Sequence, residues 1–194
     1  MIFIAHRINS INKLKNLNPK FGVEIDLRDY NKDIHIVHDP FKKGIKLSKY
    51  LKNYKHKFII CNIKSERIEF QVIKILKKFK IKNYFFLDSS FPMKVICLRK
   101  KIYNQSIRYS KFESLPKTKF FDKIKWVWFD TYEGLPENQE LKKLKKNNKK
   151  VCLVCPKLHK KSFSNNLIKK FIKKNHANID MVCTKKDYFQ NWEL

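Results

Sequence analysis

The chain has 194 residues and a formal net charge of +28, from 45 Lys and Arg against 17 Asp and Glu. Hydrophobic residues make up 43% of it and aromatic residues 14%. This content excludes a disordered basic tail, because such tails lack the apolar surface that offsets the entropy of ordering. The length predicts a single domain, over residues 1–194, with one substantial core.

The positive charge has two interpretations. The sequence holds 40 Lys, 22 Ile and 17 Asn but only two Ala and three Gly, which is typical of codon drift in an AT-rich genome. The alternative is a nucleic-acid-binding module that uses lysines for phosphate contacts and aromatic rings for stacking. We rank that alternative lower, because lysines occur on every predicted helix and no nucleic-acid-binding motif is present. A basic surface would raise encounter rates with phosphate ligands in either case.

The chain shows no targeting or membrane-spanning pattern. Its opening apolar run, MIFIA, is too short for a signal peptide or a membrane span. We therefore expect a cytoplasmic protein without a membrane span. The cysteines are odd in number and scattered, which argues against a disulfide framework. They are Cys61, Cys97, Cys152, Cys155 and Cys183.

Short β-type runs alternate with helical patterns along the whole chain. Apolar residues at helical spacing predict helices around residues 11–17, 47–54, 66–79, 92–101 and 138–147. They also predict a last helix whose apolar face carries Phe163, Leu167, Ile168, Phe171 and Ile172. Setting aside the hairpin arm IHIVHD, eight runs predict strands: IFIAH, GVEIDLR, FIICNIK, YFFLD, SIRYS, WVWFD, VCLVC and IDMVC. Eight βα units predict a compact TIM (βα)₈ barrel in the α/β class, with an open doubly wound sheet as the alternative.

The carboxyl ends of these predicted strands are polar. Glu24 and Asp26 alternate with apolar residues on the second strand, so they share one face. Two carboxylates on one buried face repel each other unless a cation neutralises them, and such pairs are typical ligands of hard divalent ions. His6, Asn62 and Lys64 also lie near strand ends, and further strands end at Asp88, near Arg108 and at Asp130.

These motifs, in this order, resemble the glycerophosphodiester phosphodiesterase family, which lies within the phosphatidylinositol-phospholipase-like superfamily of TIM barrels. The matching stretches are IAHRI, VEIDLR, IVHDP and CNIKS, and NIDMVCTKKDYF is similar to the family's final-strand segment. The resemblance spans nearly the whole chain and is specific in the first 64 residues. It implies hydrolysis of a small phosphodiester substrate, with no specific nucleic-acid partner.

The resemblance also implies roles for individual residues. Glu24, Asp26 and Asn62 would bind a divalent metal, Mg²⁺ or Ca²⁺. His6 and His38 would form the acid/base pair, without an assignment of which is the acid, and Arg7 and Lys64 would bind the phosphate. A metal together with Arg and Lys would stabilise the charge that develops on the phosphate oxygens.

The sequence departs from the family pattern at three points. Ile8 stands where the family has Gly, so this position lacks the conformational freedom of glycine. Asn62 stands where a third carboxylate is expected, and either Asp88 supplies the missing charge or Asp88 caps the following helix. The segment between HDP and the next strand is short, which predicts a more open pocket and a different substrate.

Weaker expectations concern five other residues and one alternative function. Trp126 and Trp128 would serve as aromatic core or, less favoured, as a pocket wall. Asp130 is a candidate contact to the substrate or to a residue that binds it, and His159 and Lys157 are candidate contacts to an anionic substrate. The departures at Ile8 and Asn62 also leave open a catalytically degenerate barrel, which would bind a phosphodiester or a partner protein without cleaving it.

Overall fold

The computed structural model describes residues 1–161 and 163–193. Residue contacts divide the chain into two compact units. The N-terminal unit is Arg7–Gln105, and the C-terminal unit combines Met1–His6 with the described residues from Ser106 onward. The expectation of a single domain stays a prediction, and each unit is described by itself.

The secondary structure alternates between strands and helices, as the sequence predicts. The strands are β1 (Ile2–Ala5), β2 (Gly22–Tyr30), β3 (Asp33–Ile36), β4 (Ile45–Lys46), β5 (Ile59–Ile63), β6 (Tyr84–Leu87), β7 (Ser106–Tyr109), β8 (Trp126–Phe129), β9 (Lys150–Val154) and β10 (Met181–Thr184). The α-helices are α1 (Ile11–Lys15), α2 (Leu47–Leu51), α3 (Glu69–Lys78), α4 (Phe91–Arg99), α5 (Asn138–Lys146) and α6 (Asn165–Asn175). Short 3₁₀ segments cover Lys119–Lys123, Pro156–His159, His176–Asn178 and Lys186–Trp192.

The N-terminal unit is built on parallel strands with an antiparallel extension. β5 pairs in parallel with both β2 and β6, whereas β3 pairs antiparallel with β2, and β4 pairs antiparallel with β3. The parallel register sets Asp26 opposite Asn62. Side chains opposite each other in a ladder lie on the same face of the sheet. The register thus brings together two side chains that the sequence assigned to one site.

Apolar helix faces cover the strands of the N-terminal unit. Val72 and Leu76 of α3 are fully buried, at the spacing that places both on one side of a helix. Tyr50 of α2 is also buried, and its hydroxyl donates to the carbonyl oxygen of Ile8 at 2.8 Å. This hydrogen bond holds the backbone of Ile8, the residue after Arg7, against α2.

The C-terminal unit is an all-parallel sheet with its own core. β10 pairs with β1 and β9, and β8 pairs with β9 and β7. Helices α5 and α6 bury Leu141 and Ile172 against these strands, together with the fully buried ring of Trp192. Strands that are covered on both faces of a sheet are apolar at nearly every position. The runs WVWF of β8 and VCLV of β9 have this composition.

The structure corrects one predicted helix face. We expected Phe163 and Leu167 to line the apolar face of the last helix, but α6 begins at Asn165, after the N-cap Ser164, so Phe163 precedes it. Leu167 is 45% exposed, and Ile168 and Ile172 carry the buried face instead. Ser164 sets this boundary, because its hydroxyl accepts the backbone N–H of Leu167 and so satisfies an otherwise unpaired donor of the first turn.

The cysteines match the expectation of a protein without disulfides. All five are free and buried, including Cys152 and Cys155 of the CxxC sequence. Among the described residues, no helix is long and apolar enough to cross a membrane.

One buried lysine stabilises the C-terminal unit. Lys149 is 6% exposed, and its Nζ donates to the carbonyl oxygens of Ile124 at 2.8 Å, Asp122 at 3.3 Å and Phe121 at 3.4 Å. Lys149→Met keeps most of the aliphatic stem and removes all three donors, so we expect the free energy of unfolding to fall by about 2–4 kcal/mol. Urea denaturation would measure this, with Lys150→Met as the control. An equal effect of both substitutions would contradict the stabilising role of Lys149.

Candidate functional site

The candidate site lies on the parallel pair β2 and β5 in the N-terminal unit, where Asp26, in the middle of β2, is opposite Asn62, the next-to-last residue of β5. Glu24 and Asp26 are completely buried on one face of β2, and Asn62 of β5 is 6% exposed. Glu24 Oε1 accepts a hydrogen bond from Asn62 Nδ2 at 2.9 Å. The structure therefore brings together the three residues predicted as metal ligands.

Glu24 also anchors the chain after β1. Its Oε2 accepts the backbone N–H of Arg7 at 2.7 Å, and its carbonyl oxygen accepts the N–H of Ile8 at 2.9 Å. Arg7 has a left-handed backbone with φ of 54°, whereas Ile8 does not. Ile8 was expected to lack the conformational freedom of glycine, and its backbone agrees with that, because the tight turn is made at Arg7. The two hydrogen bonds to Glu24 offset the conformational cost of the left-handed Arg7 backbone.

Asp26 is held by a residue that the sequence did not single out. Asn9 Nδ2 donates to Asp26 Oδ2 at 2.8 Å, and Asn9 Oδ1 accepts the backbone N–H of Asp26 at 3.1 Å. This reciprocal pair fixes the carboxylate against the segment after Arg7. The sequence does not distinguish Asn9 from the other asparagines, of which the chain has 17 in all.

Lys64 lies between two carboxylates. Its Nζ is 3.7 Å from Asp26 Oδ1 and 3.5 Å from Asp88 Oδ2. Of the two roles left open for Asp88, capping of the next helix is not observed, because Ser90 is the N-cap of α4 and its hydroxyl accepts the N–H of Met93. Asp88 instead has a left-handed backbone, with φ of 61°, and contributes its charge beside Lys64.

His38 lies in a chain of polar contacts at the surface. Arg7 Nη2 is 2.6 Å from His38 Nε2, and His38 Nδ1 is 2.8 Å from Asp39 Oδ1. Because a guanidinium only donates, Nε2 must accept, which leaves the proton on Nδ1 to donate to Asp39. Lys42 Nζ donates to the second oxygen of Asp39 at 2.8 Å. These hydrogen bonds from His38 and Lys42 lower the pKa of Asp39 to about 2.

His6 is the residue directly after β1 and directly before Arg7 in the chain. It belongs to the C-terminal unit, where its backbone N–H donates to the carbonyl oxygen of Thr184 at 2.9 Å. This bond continues the ladder between β1 and β10 by one residue. The predicted position of His6 at a strand end is therefore confirmed, and its catalytic role stays a prediction.

The two buried carboxylates are electrostatically costly. Burial, followed by repulsion from Asp26, raises the pKa of Glu24 from 4.5 to about 7. Asp26 Oδ1 and Asn62 Oδ1 are buried without a hydrogen-bond partner among the described residues. Buried acceptors without donors are unfavourable unless a cation or water satisfies them. Two carboxylates and an amide oxygen match the oxygen ligands of Mg²⁺ and Ca²⁺, so these residues fit a hard divalent ion.

The total negative charge of these three side chains is low for a divalent metal site. Among the described residues, no group of three or more His, Cys, Asp or Glu side chains is placed to hold a metal. Asn62 supplies a neutral oxygen where a third carboxylate would supply a charge, and Lys64 adds a competing positive charge. The ligand set therefore predicts weaker metal binding than a set of three carboxylates.

A second polar cluster lies at the ends of β7, β8 and β9 in the C-terminal unit. Asp130 is 3% exposed and forms an ion pair with Arg108. Trp128 Nε1 donates to Asp130 Oδ1 at 3.1 Å, and His159 Nε2 lies 3.1 Å from the same oxygen. Burial raises the pKa of Asp130 and lowers that of His159. Trp128 therefore combines the expected core position with a polar contact.

The other residues expected near this cluster have different neighbours. Lys157 Nζ lies 4.2 Å from the centre of the Tyr188 ring, and Lys150 Nζ lies 5.4 Å from the centre of the Trp126 ring. Cation–π contacts of this kind fix surface lysines against aromatic faces. The ring of Tyr132 contacts His159, with 4.1 Å between ring centres, and was not predicted from the sequence.

The chain is similar to known proteins in structure, but sequence comparisons find no match. No protein-family model matches the chain, and no curated protein matches it. A glycerophosphodiester phosphodiesterase from Parabacteroides distasonis is 16% identical with a TM-score of 0.70, over 94% of this chain and 92% of that one. One from Agrobacterium tumefaciens is 10% identical with a TM-score of 0.67, over 97% of both chains.

A third solved structure agrees with the first two. It is a glycerophosphoryl diester phosphodiesterase from Parabacteroides distasonis, 13% identical with a TM-score of 0.65, over 95% of this chain and 82% of that one. The described residues contain three parallel strands in the N-terminal unit and five in the C-terminal unit, which agrees with the eight expected from the sequence. The chain therefore has the TIM-barrel fold of the glycerophosphodiester phosphodiesterases.

Proposed function

We propose that the protein hydrolyses a phosphodiester of glycerophosphodiester type in a metal-dependent reaction with two histidines as acid and base. The observation that carries the proposal is the Glu24, Asp26 and Asn62 group in the N-terminal unit, with Arg7 linking it to His38. Arg7 donates its backbone N–H to Glu24 and its guanidinium to His38. In a TIM barrel, strand ends are the positions from which catalytic residues act.

The metal would be held by Glu24, Asp26 and Asn62. When bound, Mg²⁺ or Ca²⁺ supplies a Lewis acid that offsets negative charge on the phosphate oxygens. Asn9 orients Asp26 for this role through its two hydrogen bonds. Lys64, 21% exposed at its side chain, brings a further positive charge beside Asp26.

Arg7 and Lys64 would bind the phosphate. The Arg7 side chain is 49% exposed and carries its charge at the surface of the site. A guanidinium can donate two parallel hydrogen bonds to phosphate oxygens, and an ammonium acts there as a point charge. Both charges stay positive throughout the reaction, so they favour the more negative transition state.

His6 and His38 would exchange protons with the attacking and leaving oxygens. In the absence of substrate, Arg7 donates to Nε2 of His38, which keeps this nitrogen unprotonated and covered. An anionic phosphate would compete for the guanidinium and so uncover Nε2. Asp39 holds the opposite ring nitrogen and fixes the orientation of the imidazole. An imidazole can accept a proton at one step and donate it at another, which suits acid/base catalysis.

The proposal is tested by incubating the purified protein with a panel of phosphodiesters. The panel comprises glycerophosphodiesters, nucleotide-linked glycerols and aryl phosphodiesters, each with Mg²⁺, Ca²⁺ or Mn²⁺ in turn. We expect cleavage of at least one glycerophosphodiester. Absence of cleavage across the panel would reject the proposed activity.

Asn62→Asp should strengthen metal binding. The substitution adds the charge that the site lacks and keeps an oxygen opposite Asp26. We expect the metal dissociation constant to fall by about tenfold, since about 1.4 kcal/mol of added charge attraction suffices for that change. Titration calorimetry with Mg²⁺ and Ca²⁺ would measure it, and Asn83→Asp, a change of the same kind outside the site, is the control. Unchanged affinity in Asn62→Asp would contradict the ligand assignment.

A second candidate is a degenerate barrel that binds a phosphodiester without cleaving it. The observation that favours it is the neutral ligand Asn62 together with Glu24, whose two carboxylate oxygens already accept hydrogen bonds. Calorimetry separates the two functions. A titration without heat of metal binding, combined with binding of an uncleaved phosphodiester, would favour the degenerate barrel.

A further inference from the structure

The loop of residues 39–44, between β3 and β4, presents a phenylalanine to solvent. The side chain of Phe41 is 101% exposed, whereas the other exposed large hydrophobic residues in the described chain range from 36% to 71%. Phe41 also has a left-handed backbone, with φ of 58°. This conformation is uncommon for a bulky residue and here places the ring at a turn. We call residues 39–44 the Phe41 loop.

The Phe41 loop is fixed at both ends. At its start, Asp39 accepts hydrogen bonds from His38 and Lys42. At its end, the carbonyl oxygen of Gly44 lies 2.7 Å from Nδ1 of the buried His35. A Cβ atom on Gly44 would collide with the Ile36 carbonyl group, so the chain packs tightly here. The exposed ring is therefore carried by an ordered turn, which reduces the entropy lost when the ring is buried by a partner.

The charges around Phe41 are positive. Lys42 and Lys43 follow it and are exposed. Asp39 neutralises Lys42 through their ion pair at 2.8 Å, and Lys43 adds a net charge at the tip. The whole chain carries +28. The loop thus combines one exposed aromatic ring with basic residues, on a protein that is attracted to anionic surfaces at longer range.

We propose that the Phe41 loop docks on the surface of an anionic phospholipid bilayer, with the Phe41 ring inserted at the interface. An aromatic ring gains free energy when it leaves water for the boundary between head groups and acyl chains, and adjacent lysines pair with anionic head groups. The loop follows His38 directly in the chain. Docking would therefore bring the proposed catalytic histidine to the lipid surface.

A bilayer fits this loop better than a protein groove does. A protein partner would bury a continuous apolar patch, but the sequence neighbours of Phe41 in the loop are Asp39, Pro40, Lys42 and Lys43. A bilayer interface accepts a single ring and leaves the flanking charges among phosphates and water. The proposal concerns location at a membrane and does not depend on the proposed hydrolysis.

The test compares binding to two kinds of vesicle. The full-length protein is sedimented with vesicles of equal parts phosphatidylglycerol and phosphatidylcholine, and with vesicles of phosphatidylcholine alone. We expect binding to the anionic vesicles only. Phe41→Ala should weaken that binding by about tenfold, because the variant has no ring to transfer from water to the interface. Phe70→Ala, an exposed phenylalanine on α3, is the control and should bind as the wild type does.

Two further variants separate insertion from attraction by charge. Phe41→Trp should shift tryptophan emission to the blue when anionic vesicles are added, which reports entry of the ring into the interface. Lys43→Ala should weaken binding by about fivefold, the effect of roughly one lysine at an anionic surface, whereas Lys77→Ala on α3 should not.

Several results would overturn the proposal. They are wild-type protein that binds neither kind of vesicle or binds both equally, Phe41→Ala that binds like the wild type, and Phe41→Trp without an emission shift. Hydrolysis of a soluble phosphodiester by Phe41→Ala should equal that of the wild type. An inactive wild-type protein that still binds anionic vesicles would reject the proposed function and leave the docking proposal intact.

Discussion

Replacing His38 with alanine should lower kcat for phosphodiester hydrolysis by about 10³-fold, the usual scale for loss of a general acid or base. The ring is placed for proton exchange by Arg7 at Nε2 and Asp39 at Nδ1. Its side chain is 40% exposed, so its removal should leave the fold intact. Steady-state kinetics on a glycerophosphodiester, with circular dichroism to verify folding, would measure the effect.

Two variants serve as controls for this prediction. His176→Ala removes an exposed histidine from the 3₁₀ segment His176–Asn178 and should retain full activity. His6→Ala should reduce kcat on the same scale as His38→Ala, because each histidine carries one of the two proton transfers. Full activity in both His6→Ala and His38→Ala would show that the assigned mechanism is wrong.

Replacing Glu24 with glutamine should abolish detectable metal binding and, at the same time, stabilise the metal-free protein. Removal of the carboxylate leaves Asp26 as the single charged ligand and removes the repulsion between the two. Glutamine can still accept the N–H of Arg7, and a rotated Asn62 amide can accept from the new side-chain N–H. The hydrogen bonds of this side chain are therefore kept, and only the negative charge of Glu24 is lost.

The pH dependence of stability follows from the same carboxylate. Its pKa is raised in the folded protein to about 7, from 4.5, so ionisation is less favourable in the folded than in the unfolded chain. Glu24 therefore destabilises the metal-free fold above about pH 7, by roughly 3 kcal/mol, and this cost disappears as the pH falls towards 4.5. Urea denaturation in EDTA should show Glu24→Gln more stable than wild type at about pH 8 and similar to it near pH 4.5. A variant less stable than wild type at about pH 8 would contradict this account.

The sequence was most informative where a pattern repeats. Apolar residues at helical spacing predicted α3 and α5 to within a few residues, because these helices bury one face against strands. Alternation on β2 placed Glu24 and Asp26 on one face, and the parallel register with β5 then brought Asn62 to them. Both patterns follow from the periodicity of the backbone, which is why they could be derived without coordinates.

The contacts that the sequence could not reveal join distant segments of the chain. Asn9 binds Asp26 across 17 positions, and Arg7 reaches His38 across 31. Nothing in the composition distinguishes Asn9 from the other asparagines. The role of Asp88 was also left open, because helix caps depend on local backbone angles, and these assign the cap to Ser90. The tautomer of His38 likewise depends on Arg7 and Asp39 together.

We propose that this chain cleaves glycerophosphodiesters with a divalent metal and His38. The most direct test follows glycerophosphocholine by ³¹P NMR in three samples: wild type with Mg²⁺, wild type with EDTA, and His38→Ala with Mg²⁺. We expect a phosphomonoester signal in the first sample and about 10³-fold slower or undetectable conversion in the other two. Equal conversion in all three samples, or no conversion of any glycerophosphodiester by the wild type, would contradict it.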